Sequence, residues 1–415
     1  MRLGDVGNAA AAGYGKPLDG VRILALEQMQ AMPFATQLLA RLGADVVKVE
    51  SPNGGDSGRG ASPTFTAPDG RTIGATFSRN NFNKRSIAVD LKNPKGRQLV
   101  LDLAPRFDVV AENFKAGGLI RMGLGYDDIA AVHPAVIYAS ISGFGNTRPT
   151  PYSDWPAYAS VVEAMSGIYD YVFADTQPPI PSVMGATGDT AAGLFVVIGI
   201  LAALQHRNRT GEGQYVDVAM FDAMVSMSDI VPNLWSMGLG RGQQRRAGII
   251  DSFRASDGWF VVQVVREHQL ARLAELVGHH EWTEDERFAD RARWFDLTDD
   301  LVRPAVEKWS ANMTRMEACE LLSAAGIASG PCLRESEVVV APHVVSHDMV
   351  VEFDRPDGVE QPVLVPGNPI KLSKMAEGPE TRMPWLGEHT DALLRDELGL
   401  DDASIAVLHE EGAIS

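Results

Sequence analysis

Short apolar runs alternate with stretches of helical spacing along the first half of the chain. Val21–Leu26 is a compact apolar run, Phe34–Leu42 (FATQLLARL) repeats its apolar residues at helical intervals, and Asp45–Glu50 (DVVKVE) is strand-like again. This succession predicts a βαβ unit, with Gly43 as the helix stop. The pattern recurs. Pro94–Leu103 reads as a helix with proline near its first turn, Asp108–Ala111 as extended chain, and Ala135–Ser142 (AVIYASIS) as a strand. Ala191–Arg209 is the strongest helical stretch, apolar through GLFVVIGILAALQ and closed by Arg207, Arg209 and Thr210–Gly213. Gln214–Met220 then returns as a strand. The alternation predicts an α/β fold, a parallel sheet covered by helices with its sites at the carboxyl ends of the strands.

The texture changes at Met237–Gly248, a Gly- and Arg-rich connector. Beyond it Gly258–Val264 reads as a strand, and His268–Val277 and Met316–Ala324 as helices, which suggests a smaller α+β domain. Gly326–Pro331 looks like a second boundary. The tail from Val338 is polar and loop-rich, with a last amphipathic helix at Thr390–Leu398.

Composition narrows the function classes. A length of 415 residues makes two domains the expectation. A net charge of −17 disfavours nucleic acid as a partner, so an anionic ligand would need lysines and arginines gathered locally. No apolar run approaches the ~20 residues of a membrane span. The Ala- and Gly-rich start, lacking a basic and then an apolar region, reads as a flexible arm rather than a signal peptide. Cys319 and Cys332 have no metal-ligand spacing, so a reducing, cytoplasmic setting without disulfides or zinc is expected. His279–His280 follows a helix end and is read as surface rather than as a metal site. Gly238–Gly242 neither follows a strand nor ends in Gly-Lys-Ser/Thr, so no phosphate loop is expected there.

Six stretches together carry a family resemblance: Leu39–Arg59, Asn83–Gly96 (NKRSIAVDLKNPKG), Glu112–Ile129 (ENFKAGGLIRMGLGYDDI), Ile137–Gly145 (IYASISGFG), Thr210–Met220 (TGEGQYVDVAM) and Trp385–Leu394 (WLGEHTDALL). In this order they resemble the family III CoA-transferases, from about Leu18 to the end of the chain. The resemblance implies a Rossmann-like large domain made of residues 18–230 and 332–415, a small inserted domain at 245–328, and an arm at 1–17. It further implies two subunits threaded as interlocked rings. Acyl-CoA and a carboxylic acid would be the substrates, with no tightly bound cofactor or metal.

Such chemistry needs an enzyme carboxylate, because a free carboxylate attacks a thioester poorly and the CoA thiolate must be retained. The resemblance puts this nucleophile before a proline-containing loop, which selects Asp175 in Phe173–Pro179, with Asp170 as the competing register. Gln30 is expected to hydrogen-bond the acyl group, Gly143 and Gly145 to let backbone N–H groups approach an oxyanion, and Ala31, Lys84, Arg85, Asn113, Phe114 and Arg121 to contact the cofactor. Ser51 and Lys115–Ala116 depart from the family pattern. Asp189 is read as the N-cap of the long helix.

Two other readings compete. An α-methylacyl-CoA racemase of the same family would use Asp189 with an opposed histidine, but no histidine occurs between His133 and His206. A non-catalytic acyl-CoA binding protein would keep the fold alone.

Overall fold

The computed structural model of the chain describes residues 1–169, 185–228, 230–239 and 248–415. They divide into two compact units, Met1–Met237 with Pro342–Ser415, and Gly238–Ala341.

The larger unit is built on six parallel strands: β1 (Arg22–Leu26), β2 (Asp45–Glu50), β3 (Lys84–Ala88), β4 (Val109–Glu112), β5 (Ile137–Ser142) and β6 (Gln214–Ala219). Their spatial order is β3-β2-β1-β4-β5-β6, that of the dinucleotide-binding folds. Alternate residues of each strand serve opposite faces, which is why the strands read as continuous apolar runs. Ile23 and Ala25 join a core with helices α1 (Ala31–Arg41), α5 (Thr187–Thr210) and α6 (Met220–Met227). Leu24 and Leu26 join the other core, with α2 (Pro94–Leu103) and α3 (Tyr126–Val132). The chain's end completes that second layer with α10 (Thr390–Leu398) and α11 (Asp402–Glu410), through Leu393, Leu394 and Ile405. The short helix α4 (Ala159–Met165) packs beside the start of α5.

By length and composition α5 could cross a membrane, a property the sequence reading did not anticipate. Half of its most apolar window is buried, against α1 and the sheet.

The smaller unit has an antiparallel sheet of β7 (Ile249–Arg254), β8 (Trp259–Val264) and β9 (Ala328–Pro331), with β8 central. Helices α7 (Glu267–Val277), α8 (Arg303–Ser310) and α9 (Arg315–Ala324) enclose its core around Phe253, Phe260 and Trp294. Gly326–Pro331, read from sequence as a boundary, is instead largely the edge strand β9, paired to Phe260–Gln263.

The amino-terminal residues, expected as a free arm, are held. Leu3 N–H donates to the Glu352 carbonyl at 2.9 Å, and Gly7 and Glu377 exchange backbone bonds of 2.9 and 3.0 Å. The first three residues dock on the edge of strand β10 (Val350–Phe353), whose other side pairs with β11 (Val363–Pro366), and Gly7 docks on the later loop at Glu377.

Candidate active site

The strand order reverses between β1 and β4, so the loops leaving them diverge and open a crevice at their carboxyl ends. The loops are stitched together across it. Gln28 N–H donates to Asn113 Oδ1 at 3.0 Å, and Asn113 Nδ2 donates to the Gln28 carbonyl at 2.9 Å. From the other side Asp56 Oδ1 accepts the Met29 N–H at 2.9 Å. Met29 has φ 63°, a left-handed conformation that costs a residue with a side chain roughly 1–3 kcal/mol. The bonds at Gln28 and Met29 hold the loop in this shape. Behind it, Lys48 has no exposed side-chain surface, pairs with Asp56 Oδ2 at 2.8 Å and donates to the Glu27 carbonyl at 3.0 Å. Burial opposes charge on Asp56, but Lys48 and the N–H groups of Met29 and Gly58 together outweigh it and keep that carboxyl below the usual range.

The crevice encloses about 600 Å³. Gln28–Ala31, Asn113–Ala116, Ile141–Phe144 and Trp155–Tyr158 form most of its wall, joined by Met220 and Asp189. Gly143 must lack a side chain because a Cβ there would lie 2.2 Å from that of Ala157. Among the described lining residues Asp189 is the one carboxylate, Lys115 the one basic residue, and no histidine occurs.

Asp189 is not the helix cap that sequence suggested. Ala186 occupies the cap position, and Asp189 is the third residue of α5. Burial, and then the charge of Glu163, push its carboxyl up to about 6. The glycine before it has a steric cause. A Cβ on Gly188 would meet Val162 Cγ2 at 2.9 Å and Ala159 Cα at 3.2 Å, so α5 can start against α4 only with glycine there. Glu163, only 2% exposed, accepts the Gly188 N–H at 3.0 Å and the Tyr169 hydroxyl at 2.6 Å.

Of the residues singled out in the sequence, Gln30, Ala31, Asn113, Phe114 and Gly143 come together on this crevice. Asp175 and Asp170 lie outside the described residues. Gly145 is not on the wall, and its N–H is taken by Ser142 Oγ at 2.9 Å. Lys84 is corrected as a cofactor contact. Its ammonium is buried and donates to Glu27 Oε1, the Pro33 carbonyl and Asn81 Oδ1 at 2.7, 2.9 and 3.0 Å, leaving no hydrogen for a phosphate. Arg85 is corrected likewise: it pairs with Asp45, the first residue of β2, toward the amino-terminal edge of the sheet. Arg121 stands exposed in the turn Ile120–Met122 after β4, with no ion pair among the described residues. Asp189 entered the sequence reading only as a helix cap and as the racemase's aspartate, and Glu163 did not enter it at all. The Gly188–Asp189 pair opening the longest helix was the available signal for the first, and none marked the second.

The comparisons with known proteins agree with this architecture. The model of CoA-transferase family III matches residues 18–390. A formyl-CoA:oxalate CoA-transferase of Rhodopseudomonas palustris is 35% identical, over 96% of this chain and 98% of its own. One from Streptomyces avermitilis is 36% identical, over 96% of this chain and all of its own (100%). Among solved structures, a CaiB/BaiF family protein from Brucella suis superposes with a TM-score of 0.79 at 32% identity, covering 92% of this chain and 100% of that one. Rv3272 from Mycobacterium tuberculosis gives 0.77 at 31% identity, covering 91% and 99%. With family model, full-length relatives and parallel sheet in agreement, this chain belongs to CoA-transferase family III.

Proposed function

We propose that the protein transfers CoA from an acyl-CoA donor to a carboxylic acid through a covalent intermediate on Asp189. The observation that carries this reading is the single carboxylate on the described wall of the switch-point crevice. Asp175, favoured by sequence resemblance, is the competing nucleophile. The Asp189 carboxylate oxygen attacks the thioester carbonyl carbon, forming a mixed anhydride and expelling CoA thiolate. The thiolate attacks the aspartyl carbonyl and releases the donor acid, leaving an aspartyl-CoA thioester. The acceptor carboxylate then attacks that thioester and frees the thiolate again, which cleaves the second anhydride at the acceptor carbonyl. Asp189 is regenerated and the new acyl-CoA departs.

The relatives' names carry formyl-CoA as donor and oxalate as acceptor, and the same pair is the first to offer this protein. Lys115, a cation on the wall beside Asn113 and Phe114, suits the second carboxylate of a small diacid. Arg121 suits a CoA phosphate. The reading includes a homodimer. Leu194, Ile198 and Leu201 expose 44%, 62% and 36% of their surface along one face of α5, an apolar stripe that a second copy would cover.

Offering acyl-CoA donors, formyl-CoA included, with mixed carboxylic acids and reading new thioesters by mass spectrometry tests the reaction. New acyl-CoA species are expected, without deuterium entering the α-carbon of 2-methylacyl-CoA in heavy water. Exchange at that carbon without any transfer would make the racemase reading the right one.

A further inference from the structure

The carboxylate of Glu163 lies behind Asp189, buried, and has no place in the reaction steps above. It is held from two sides, by the Gly188 N–H at 3.0 Å and the Tyr169 hydroxyl at 2.6 Å. Gly188 N–H is among the first-turn donors of α5, whose positive end would otherwise favour negative charge on a neighbouring side chain. A carboxylate nucleophile gains nothing from such stabilisation, because a better-stabilised anion is a weaker base and a weaker nucleophile.

We propose that Glu163 is a positioning residue for the nucleophile: it fixes the first turn of α5 through Gly188 and sets its own negative charge against that of Asp189. This inference rests on Asp189 being the nucleophile. Two features of geometry support it independently. The contact between α4 and the start of α5 is closed by the Gly188 approach to Val162, so the carboxylate cannot drift from the turn it holds. Among the described residues, no other charge is directed at this turn from the elements packed around it. On α1 the charged residue is Arg41, at the far end and paired with Glu380. On β5 there is none, and on β6 Asp217 is turned to the N–H groups of Asn146 and Thr147. On α6 Asp222 is exposed, and from the loop after β4 Lys115 stands exposed at the wall. The carboxyl of Asp189, pushed up to about 6 by burial and then by Glu163, agrees with this arrangement.

The substitution Glu163→Gln keeps an acceptor for Gly188 N–H and a partner for Tyr169, and removes only the charge. Its transfer activity should fall on the order of tenfold in kcat with little change in KM for the acyl-CoA, and the acid limb of its pH–rate profile should move to lower pH. Glu163→Asp, which keeps the charge, should retain the native acid limb. An unchanged profile and kcat in Glu163→Gln, with the covalent intermediate still mapped to Asp189, would overturn the role of Glu163 alone. An intermediate mapped elsewhere would overturn both readings together.

Discussion

Two groups of buried charges flank the crevice, and they are built on opposite principles. On the β2–β3 side every buried charge has a partner. Lys48 meets Asp56, Lys84 meets Glu27, and Arg59 grips Glu50 at 2.7 and 2.6 Å while Ser86 donates to the same carboxylate at 2.6 Å. On the α4–α5 side two carboxylates, the buried Glu163 and the half-buried Asp189, lie close together with no cation paired to either among the described residues. The paired group has no unsatisfied reactivity, and its work is to hold the Gln28–Gln30 loop. The unpaired pair is costly to keep charged, and such groups recur where chemistry needs a basic carboxylate. Both sides bury charge; only one leaves it available to a substrate.

Breaking the paired side should produce the largest change. Lys48→Met leaves Asp56 buried without its ammonium, while Glu27 keeps Lys84, at a cost of roughly 3–5 kcal/mol. Urea denaturation of the variant should show the midpoint falling with an unchanged slope. A midpoint equal to the native one would mean that the Lys48 network carries no structural load.

The unpaired side should respond with the opposite sign. Asp189 has a folded value of about 6 against 3.8 for the free side chain, so the native state binds more protons than the unfolded chain between those values. Stability therefore falls as pH rises through that window, and above it the half-buried charge costs roughly 3 kcal/mol. Asp189→Asn should raise the thermal midpoint by a few degrees near neutral pH, ~2–4 °C for a chain of this size. The gain should vanish at a pH below that of the free side chain. A variant less stable than native at neutral pH would contradict the comparison.

The smallest expected effect is at the wall. Lys115 is exposed, so Lys115→Ala should raise KM for an anionic acceptor only about fivefold. KM for the acyl-CoA should stay unchanged. A rise in the acyl-CoA KM instead would move Lys115 to the phosphates of CoA.

How much of this was legible in sequence follows from the range of the forces involved. The alternation that builds β1, α1 and β2 is local, and Asp45–Glu50 and Pro94–Leu103 have the bounds that periodicity predicted. Asn113 and Gly143 could be placed because each directly follows a legible strand, and Gln30 because it stands at the start of the helix that the first βαβ unit predicts. Lys84 could not, because a lysine pattern does not say whether its ammonium turns outward or back to Glu27. Strand β3 likewise escaped periodicity, since KRSIA begins with two charges that only tertiary partners make tolerable. Asp189 was misread for a related reason. An aspartate at a helix start is an ordinary cap, and what makes this one different is the helix against it and Glu163 on that helix.

The most direct test of the central claim is to find where the covalent intermediate forms. The native protein, incubated with an acyl-CoA donor and trapped with hydroxylamine, should yield a peptide modified at Asp189 by tandem mass spectrometry. Asp189→Asn should abolish both the adduct and transfer, while Asp175→Asn keeps them. A modified Asp175, with activity surviving in Asp189→Asn, would contradict the account.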